Sequence, residues 1–427
     1  MVMVPDTDPL QSRGPGGGNN IRQHGRPLLE IAIVSGFGIL ASAGFQVVAS
    51  RGLGPEGFGL LAAFLAVINI AAIGSAALRN SVAVQIAATA GTYQPSGRRR
   101  FDASLIEAAV LGTVFTAVLL VASPGLAGAL QSNELALLLA AGTVLPYFLF
   151  ARSLGLLQGR GRTRSVVWWS TGAQVAQLVL AIVALSLGFG AVGILAMFLG
   201  TIVFASFSSS YQTRRLALSP ATIPFSVNSI TVVLLTIAFA WLTNVDVILV
   251  RSGTTEVMAG SYAAAAVLVK TTLILPATLS LYLLPRFVTN RNNSRVTRLG
   301  VNLSLGITLA GGLLIAGLLW VAGAVIVALL FGEGYEVTIG LLPLLALAWV
   351  PWAMVQAILV RITSIGSKAG LGVLLLAIAV QWVGVTLLLP NIYAMIIFNG
   401  SVGVAVLLLL FAIHLVLARK SDLISPH

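Results

Sequence analysis

Cysteine is absent from the 427 residues, and histidine occurs only three times, at His24, His414 and His427. Neither a disulfide framework nor a thiolate metal or redox site can be built, and the histidines lack the spacing of metal ligands. No cofactor is expected. Charge is also scarce: Asp, Glu, Lys and Arg make up 8% of the chain, against about 25% in a soluble domain. A soluble fold is thereby excluded. Acidic residues are the scarcer of the charged ones, 12 against 24 Lys and Arg, for a net charge of +12. That excess does not point to nucleic acid, because the basic residues fall mostly in short connections between apolar runs, where they orient a chain in a bilayer.

What the chain does have is apolar surface: 58% of its residues are hydrophobic and its mean hydropathy is +1.01. Residues 1–27 are polar and rich in Gly and Pro, which predicts a disordered tail. Twelve apolar runs follow, at 28–50, 58–78, 103–122, 135–157, 166–187, 190–211, 225–250, 257–285, 299–322, 339–360, 369–389 and 391–418. A hydrocarbon core of about 30 Å takes about 20 helical residues to cross, so each run predicts one transmembrane helix. Arg22 and Arg26 precede the first run, and Ala41, Ser42 and Ala43 within it resemble a signal-peptide cleavage site. The run is nevertheless read as a retained helix, because it has a counterpart in the second half of the chain.

Basic residues alternate between connections in a way that fixes an expected orientation. Of the 24 Lys and Arg, all but Arg51, Arg251 and Lys270 fall on one side of the predicted topology, which the positive-inside rule assigns to the cytoplasm. Both termini are expected there, in the cell membrane. Polar residues also recur at a near-constant interval. Gln46, Arg51 and Glu56 reappear 200 residues later as Asp246, Arg251 and Glu256; Gly59 and Asn69 match Gly260 and Lys270; Arg164 and Gln177 match Lys368 and Gln381. The expected fold is therefore all-α and polytopic, with two parallel six-helix repeats at 28–215 and 216–420 and a short cytoplasmic tail at 421–427.

Several apparent motifs lack the context their chemistry needs. Gly52, Gly54 and Gly57 spell the dinucleotide fingerprint, but they join two membrane helices beside Pro55 and read as a tight turn. Asp6 and Asp8 lie in the polar tail. Lys270, Thr271 and Thr272 resemble the end of a phosphate-binding loop, yet Val269 stands where that loop requires glycine. The longest outer connections, near Pro124 and Glu333, leave little room for a catalytic domain, and no enzyme is expected.

Polar residues at membrane depth are more informative, because a charge at the bilayer centre costs about 2.5 to 3.5 kcal/mol on insertion scales and persists where it has a partner or a watery cavity. Lys270 lies about 12 residues into its span, roughly 18 Å along a helix and near the midplane. It is read as a cavity-facing cation or as the partner of Asp246, and the two readings can coexist. Asn69 matches it in depth. Arg251 and Arg51, with Asp246 and Gln46, stand toward the outer ends of matching spans, where they suit a gate or interhelical hydrogen bonding. Arg79 is placed at the cytoplasmic end of the second span, beside Asn80 and Gln85, and Glu30 at the start of the first.

The segment SRGLGPEGFG at 50–59, followed by LLAAFLAVINIAAIG, resembles the first loop and second helix of the polysaccharide biosynthesis (oligosaccharide flippase) family. LTNVDVILVRSGTTEVMAGSYAAAAVLVKTTLILP at 242–276 and LLPRF at 283–287 are similar to its seventh and eighth helices. This resemblance implies the multidrug, oligosaccharidyl-lipid and polysaccharide exporter superfamily, with two six-helix bundles around a central cavity open alternately to each side. It further implies a polyprenyl-diphosphate-linked oligosaccharide as substrate, membrane lipids as surroundings, and glycan polymerase or assembly proteins as partners. Lys270, Arg79 and Arg251 would then hold the diphosphate, and Asn69, Asp246, Gln46, Arg51, Gln174, Gln177 and Gln381 would be the polar residues of the cavity. The rival readings are a cation-coupled drug extruder of the same superfamily, which wants acidic cavity residues, a membrane glycan ligase or polymerase, and a scaffold for glycan assembly.

Overall fold

The computed structural model describes residues 19–88, 103–130, 132, 134–214, 227–276, 279 and 294–424. Among these, every regular element is helical, as hydrocarbon requires of a chain whose backbone N–H and C=O groups must be satisfied within each segment. The helices are α1 (Asn19–Ala88), α2 (Ala103–Leu130), α3 (Glu134–Gly159), α4 (Thr163–Ser186), α5 (Gly190–Thr213) and α6 (Val227–Leu242). After them come α7 (Val245–Gly253), α8 (Glu256–Val269), α9 (Ser294–Leu330), α10 (Glu336–Ser364), α11 (Lys368–Leu388) and α12 (Ile392–Ile424). Asp6, Asp8, Arg98–Arg100 and the LLPRF segment lie outside the described residues. α1 begins at Asn19, nine residues inside the stretch expected to be a tail, since propagating a nucleated helix costs little per residue.

Eleven helical stretches among the described residues are long and apolar enough to cross a membrane, which makes the chain a multi-pass membrane protein. The first, Ile33–Ala83, has 51 residues, about twice what one crossing needs. Its two segments run in opposite directions. Along the first segment, Thr171 of α4 donates to the Val34 carbonyl and Gly52 packs against Leu185, so that segment runs parallel to α4. Along the second, Gly74 lies beside Phe148 and Ile86 beside Gly159, so that segment runs parallel to α3. A connection of three residues joins α3 to α4, which makes them antiparallel neighbours. α1 is therefore a hairpin of two spans, and twelve crossings result. The reversal sits at Gly54, with φ 64° and ψ −179°, a conformation that only glycine adopts without strain, followed by Pro55.

The two halves pack alike. α1 to α5 pack on one another, as do α6 to α12, and α1 bridges the halves by packing on α6, α7 and α8. A Cβ at Gly52 would lie 2.5 Å from the Leu185 side chain, and one at Gly253 would lie 2.6 Å from Leu389. These are the same contact in each repeat. Gly59 and Gly260, also repeat counterparts, touch each other, since a Cβ on Gly59 would come 2.7 Å from the Gly260 nitrogen. The connections at Gly54, 187–189, 254–255, 331–335 and 389–391 share one end of the molecule, poor in Lys and Arg and called here the charge-poor end; the described connections at 160–162 and 365–367 lie at the other, charge-rich end.

One feature departs from the expected continuous helices. The seventh span breaks between α6 and α7 at Thr243 and Asn244, and polar side chains take up the carbonyls that the break frees. Asn244 Nδ2 donates to the Ala240 carbonyl at 2.8 Å, and Gln381 Nε2 donates to that of Leu242 at 2.9 Å. In the eighth span, α8 tightens into a 3-10 turn over Lys270–Leu273, a mid-span irregularity of the kind that marks hinges.

Candidate functional site

The break in the seventh span creates a polar cluster inside the second half. It starts a new helix at Val245, so Asp246 occupies the first turn of α7, where the positive end of the helix dipole favours a carboxylate. Asp246 is fully buried. Its Oδ2 accepts from Tyr262 Oη at 2.8 Å and its Oδ1 from Lys270 Nζ at 3.0 Å. The ammonium also lies 4.8 Å from the centroid of the Trp349 ring, within cation-π range. Of the two readings of Lys270, pairing with Asp246 is therefore the one present, although 19% of the Lys270 side chain remains exposed. An ammonium has three donors, so the pairing leaves Lys270 able to make further bonds. Removing either member would strand a buried charge, which typically costs about 3 to 5 kcal/mol.

The counterpart in the first half is open rather than locked. In the second segment of α1, Asn69 is exposed between the buried Ile68 and Ile70. Ile73 and Ala76 are half-buried and Asn80 is exposed, at spacings that place all four on one helix face. This segment packs on α3 and, through Gly59 and Gly74, on α8 and α6 of the second half. Asn69 and Lys270 each lie ten residues, about 15 Å, beyond the Gly59–Gly260 crossing. Arg79 is half-buried at the charge-rich end of the same segment, and its Nε has no hydrogen-bond partner.

At the charge-poor end the halves are clamped together. Arg51 donates to the carbonyls of Leu330, at 3.1 Å, and Leu329, at 2.5 Å, capping the C-terminus of α9 across the interface. Tyr335 Oη donates to the Ser50 carbonyl at 3.0 Å, and Phe58 packs on Phe331 and Tyr335 with ring centroids 6.1 and 6.4 Å apart. Tyr335 lies outside the spans, and burial raises its pKa above the ordinary phenol value. Arg251, the counterpart of Arg51, is engaged differently. It is buried and pairs within its own half with Glu256, at 2.6 Å.

The other residues singled out in the sequence are dispersed. Gln46 is half-buried in the first span; Gln174 and Gln177 are half-buried on α4, Gln174 against Gly38. Gln381 is not at a cavity surface. It is fully buried, and its Nε2 also donates to Asn399 Oδ1 at 2.7 Å, so it ties α11 to α12 and to the broken seventh span. Glu30 forms an ion pair with Arg164 and accepts from Trp168 Nε1 at 3.2 Å. These residues, with Ser165, Trp169 and Gln212, line an open groove of about 590 Å³ on the first half at its charge-rich end, away from the interface. Tyr262, Trp349 and Asn399 complete the buried network and were not singled out from sequence. Each lies in an otherwise apolar run, where a tyrosine or tryptophan reads as packing.

No protein-family model matches the chain, and no curated protein matches it by sequence. Solved structures do resemble it. An inward-facing multidrug resistance MATE family transporter of the MOP superfamily is 16% identical with a TM-score of 0.70, over 91% of this chain and 96% of that one. The lipid II flippase MurJ in an inward closed conformation is 14% identical with a TM-score of 0.65, over 92% and 90%. A MOP superfamily transporter from Pyrococcus furiosus, described by the reverse polarity of its binding pocket, is 16% identical with a TM-score of 0.60, over 91% and 95%. The chain has the fold of the MOP superfamily transporters.

Proposed function

We infer that the protein is a flippase that carries a polyprenyl-diphosphate-linked oligosaccharide from the cytoplasmic to the outer leaflet by alternating access, for assembly of a cell-surface polysaccharide. The observation that carries this reading is the state of Asp246. Both of its oxygens are engaged, by Lys270 and Tyr262, so this buried carboxylate has no spare charge to offer a cationic drug or ion. Arg79 and the remaining donors of Lys270 favour an anionic head group. In this mechanism the diphosphate is drawn past Arg79 at the charge-rich mouth and comes to rest at the depth of Asn69 and Lys270. Lys270 bridges the phosphate and Asp246, which avoids leaving that carboxylate alone in low dielectric. The prenyl chain stays in lipid. Arg251, engaged by Glu256, acts at the charge-poor end rather than on the diphosphate.

The clamp formed by Arg51, Ser50 and Tyr335, together with the accessible face at Asn69, suits the state that loads substrate from the cytoplasm when the charge-rich end faces inward. Opening to the other side requires the clamp to break and the mouth near Arg79 to close. An inside-negative membrane potential favours outward movement of the anionic group by about 2.3 kcal/mol per charge per 100 mV. The test is the sidedness of lipid-linked oligosaccharides in cells depleted of the protein, read with a probe that labels only the outer leaflet. Retention in the inner leaflet is expected. Unchanged sidedness together with raised drug sensitivity would replace this reading with drug extrusion, which the shared MATE fold also supports.

A further inference from the structure

The groove at the charge-rich end of the first half, away from the interface, carries both signs of charge in its walls. Glu30, three residues before the first membrane stretch begins at Ile33, supplies a carboxylate, and Arg164, in the first turn of α4, supplies a guanidinium. The two are hydrogen-bonded to each other, yet both reach solvent, with 30% and 61% of their side chains exposed. An exposed ion pair contributes little to stability, so opening it to admit a ligand costs little. A guanidinium has five N–H donors, and its bond to Glu30 leaves others to offer. Trp168, also exposed, presents an indole face, and Trp169 Nε1 donates to Gln212 Oε1 at 2.6 Å, which turns the Gln212 amide nitrogen into a further donor. The groove's volume of about 590 Å³ falls within the range of about 300 to 1,000 Å³ found for small-molecule sites. Beyond the groove both helices turn apolar. Ile33 and Phe37 of α1 lie three and seven residues past Glu30, and Val175 and Val179 of α4 lie seven and eleven past Trp168. Those spacings keep them on the faces of the groove residues, and three of the four are exposed outright, as is Val179. The first segment of α1 and α4 run parallel in contact, so a polar head and an apolar body follow each other along one pair of helices. Tryptophans at the end of a membrane span belong at head-group level.

We propose that this groove binds the head group of a zwitterionic phospholipid with a primary amine, phosphatidylethanolamine, its phosphate on Arg164 and its ammonium between Glu30 and the Trp168 ring. The charges of the groove select among head groups. An anionic head group meets Arg164 but is repelled by Glu30. A quaternary ammonium can lie on an indole but has no N–H to give the carboxylate. The ethanolamine ammonium has three, and because it is joined to the phosphate, one molecule satisfies both members of the opened ion pair. Native mass spectrometry of the purified full-length chain, offered equal amounts of phosphatidylethanolamine, phosphatidylglycerol and phosphatidylcholine, tests this. Wild type is expected to retain phosphatidylethanolamine over the other two. Glu30→Gln should weaken that binding about tenfold, as loss of a charged hydrogen-bonding partner requires, and should end the discrimination against phosphatidylglycerol. Arg164→Gln should weaken all three lipids, whose phosphate contact is common. Arg162→Gln, an exposed basic position at the same end that does not line the groove, should leave the preference unchanged. Should Glu30→Gln fail to accumulate, Trp168→Ala carries the same test. Equal retention of the three lipids by wild type, a preference for phosphatidylglycerol, or equal binding of phosphatidylethanolamine by wild type and Glu30→Gln would overturn the proposal.

Discussion

The two halves share a scaffold but hold their polar residues in opposite ways. In the second half the seventh span is broken, and the charges at equivalent positions are neutralised internally: Asp246 with Lys270, Arg251 with Glu256. In the first half Gln46 and Asn69 carry no charge, Asn69 is exposed, and Arg51 reaches across to the end of α9. A locked pair resists rearrangement because breaking it strands a charge, whereas an exposed arginine on backbone carbonyls can exchange them for water at little cost. The comparison casts the second half as a rigid pedestal and the first as the half whose contacts change during the cycle.

The largest expected effect breaks the pedestal. Lys270→Ala should lower stability by about 3 kcal/mol by leaving Asp246 buried alone, whereas Asn69→Ala should stay within about 0.5 kcal/mol. Thermal unfolding in detergent measures both. Removing both charges with Asp246→Asn and Lys270→Gln should recover most of the loss; equal melting of Lys270→Ala and wild type would erase the contrast. Next in size is the crossing, where Gly59→Ala or Gly260→Ala forces the helices apart at about 1 to 3 kcal/mol. The natural absence of cysteine makes this readable, since Ser50→Cys introduces the sole thiol at a fully buried site of the clamp. Slow labelling is expected in that background, and faster labelling once Gly260→Ala is added.

The same thiol separates the two arginines. Arg51→Gln should speed labelling because it removes a contact between halves, whereas Arg251→Gln, which removes one within a half, should leave labelling unchanged and cost about 1 kcal/mol of stability. The smallest effect concerns Glu30, which lies outside the membrane spans. Hydrogen bonds from Arg164 and Trp168 hold its carboxyl below the ordinary carboxylate range. Its folded pKa is depressed, so the contribution is present above the unfolded carboxylate value and is lost as pH falls through the folded one. Arg164→Gln should raise that pKa, as followed by the fluorescence of Trp168.

Much of this architecture was legible in the sequence because a bilayer imposes a coarse rule, about 20 apolar residues per crossing. The repeat was legible because its polar residues stand out against an apolar background, and Asp246 was foreseen as one of two fates for Lys270. The break at Thr243–Asn244 was not legible. Neither residue forbids a helix, and the break is sustained by Gln381, which lies far away in sequence. For the same reason Gln381 read as a cavity residue. The burial of Arg361 and His414 was hidden too, because it follows from how α10 and α12 pack rather than from any local pattern.

Reconstitution tests the central claim most directly. Proteoliposomes holding the purified protein and a fluorescent polyprenyl-diphosphate-linked oligosaccharide are followed by quenching from the outside, with a cationic dye as the competing cargo. The account predicts that wild type equilibrates the lipid between leaflets and that Arg79→Ala and the Asp246→Asn, Lys270→Gln variant do not, with the dye unmoved in every case. Transport of the dye with no movement of the lipid would contradict it.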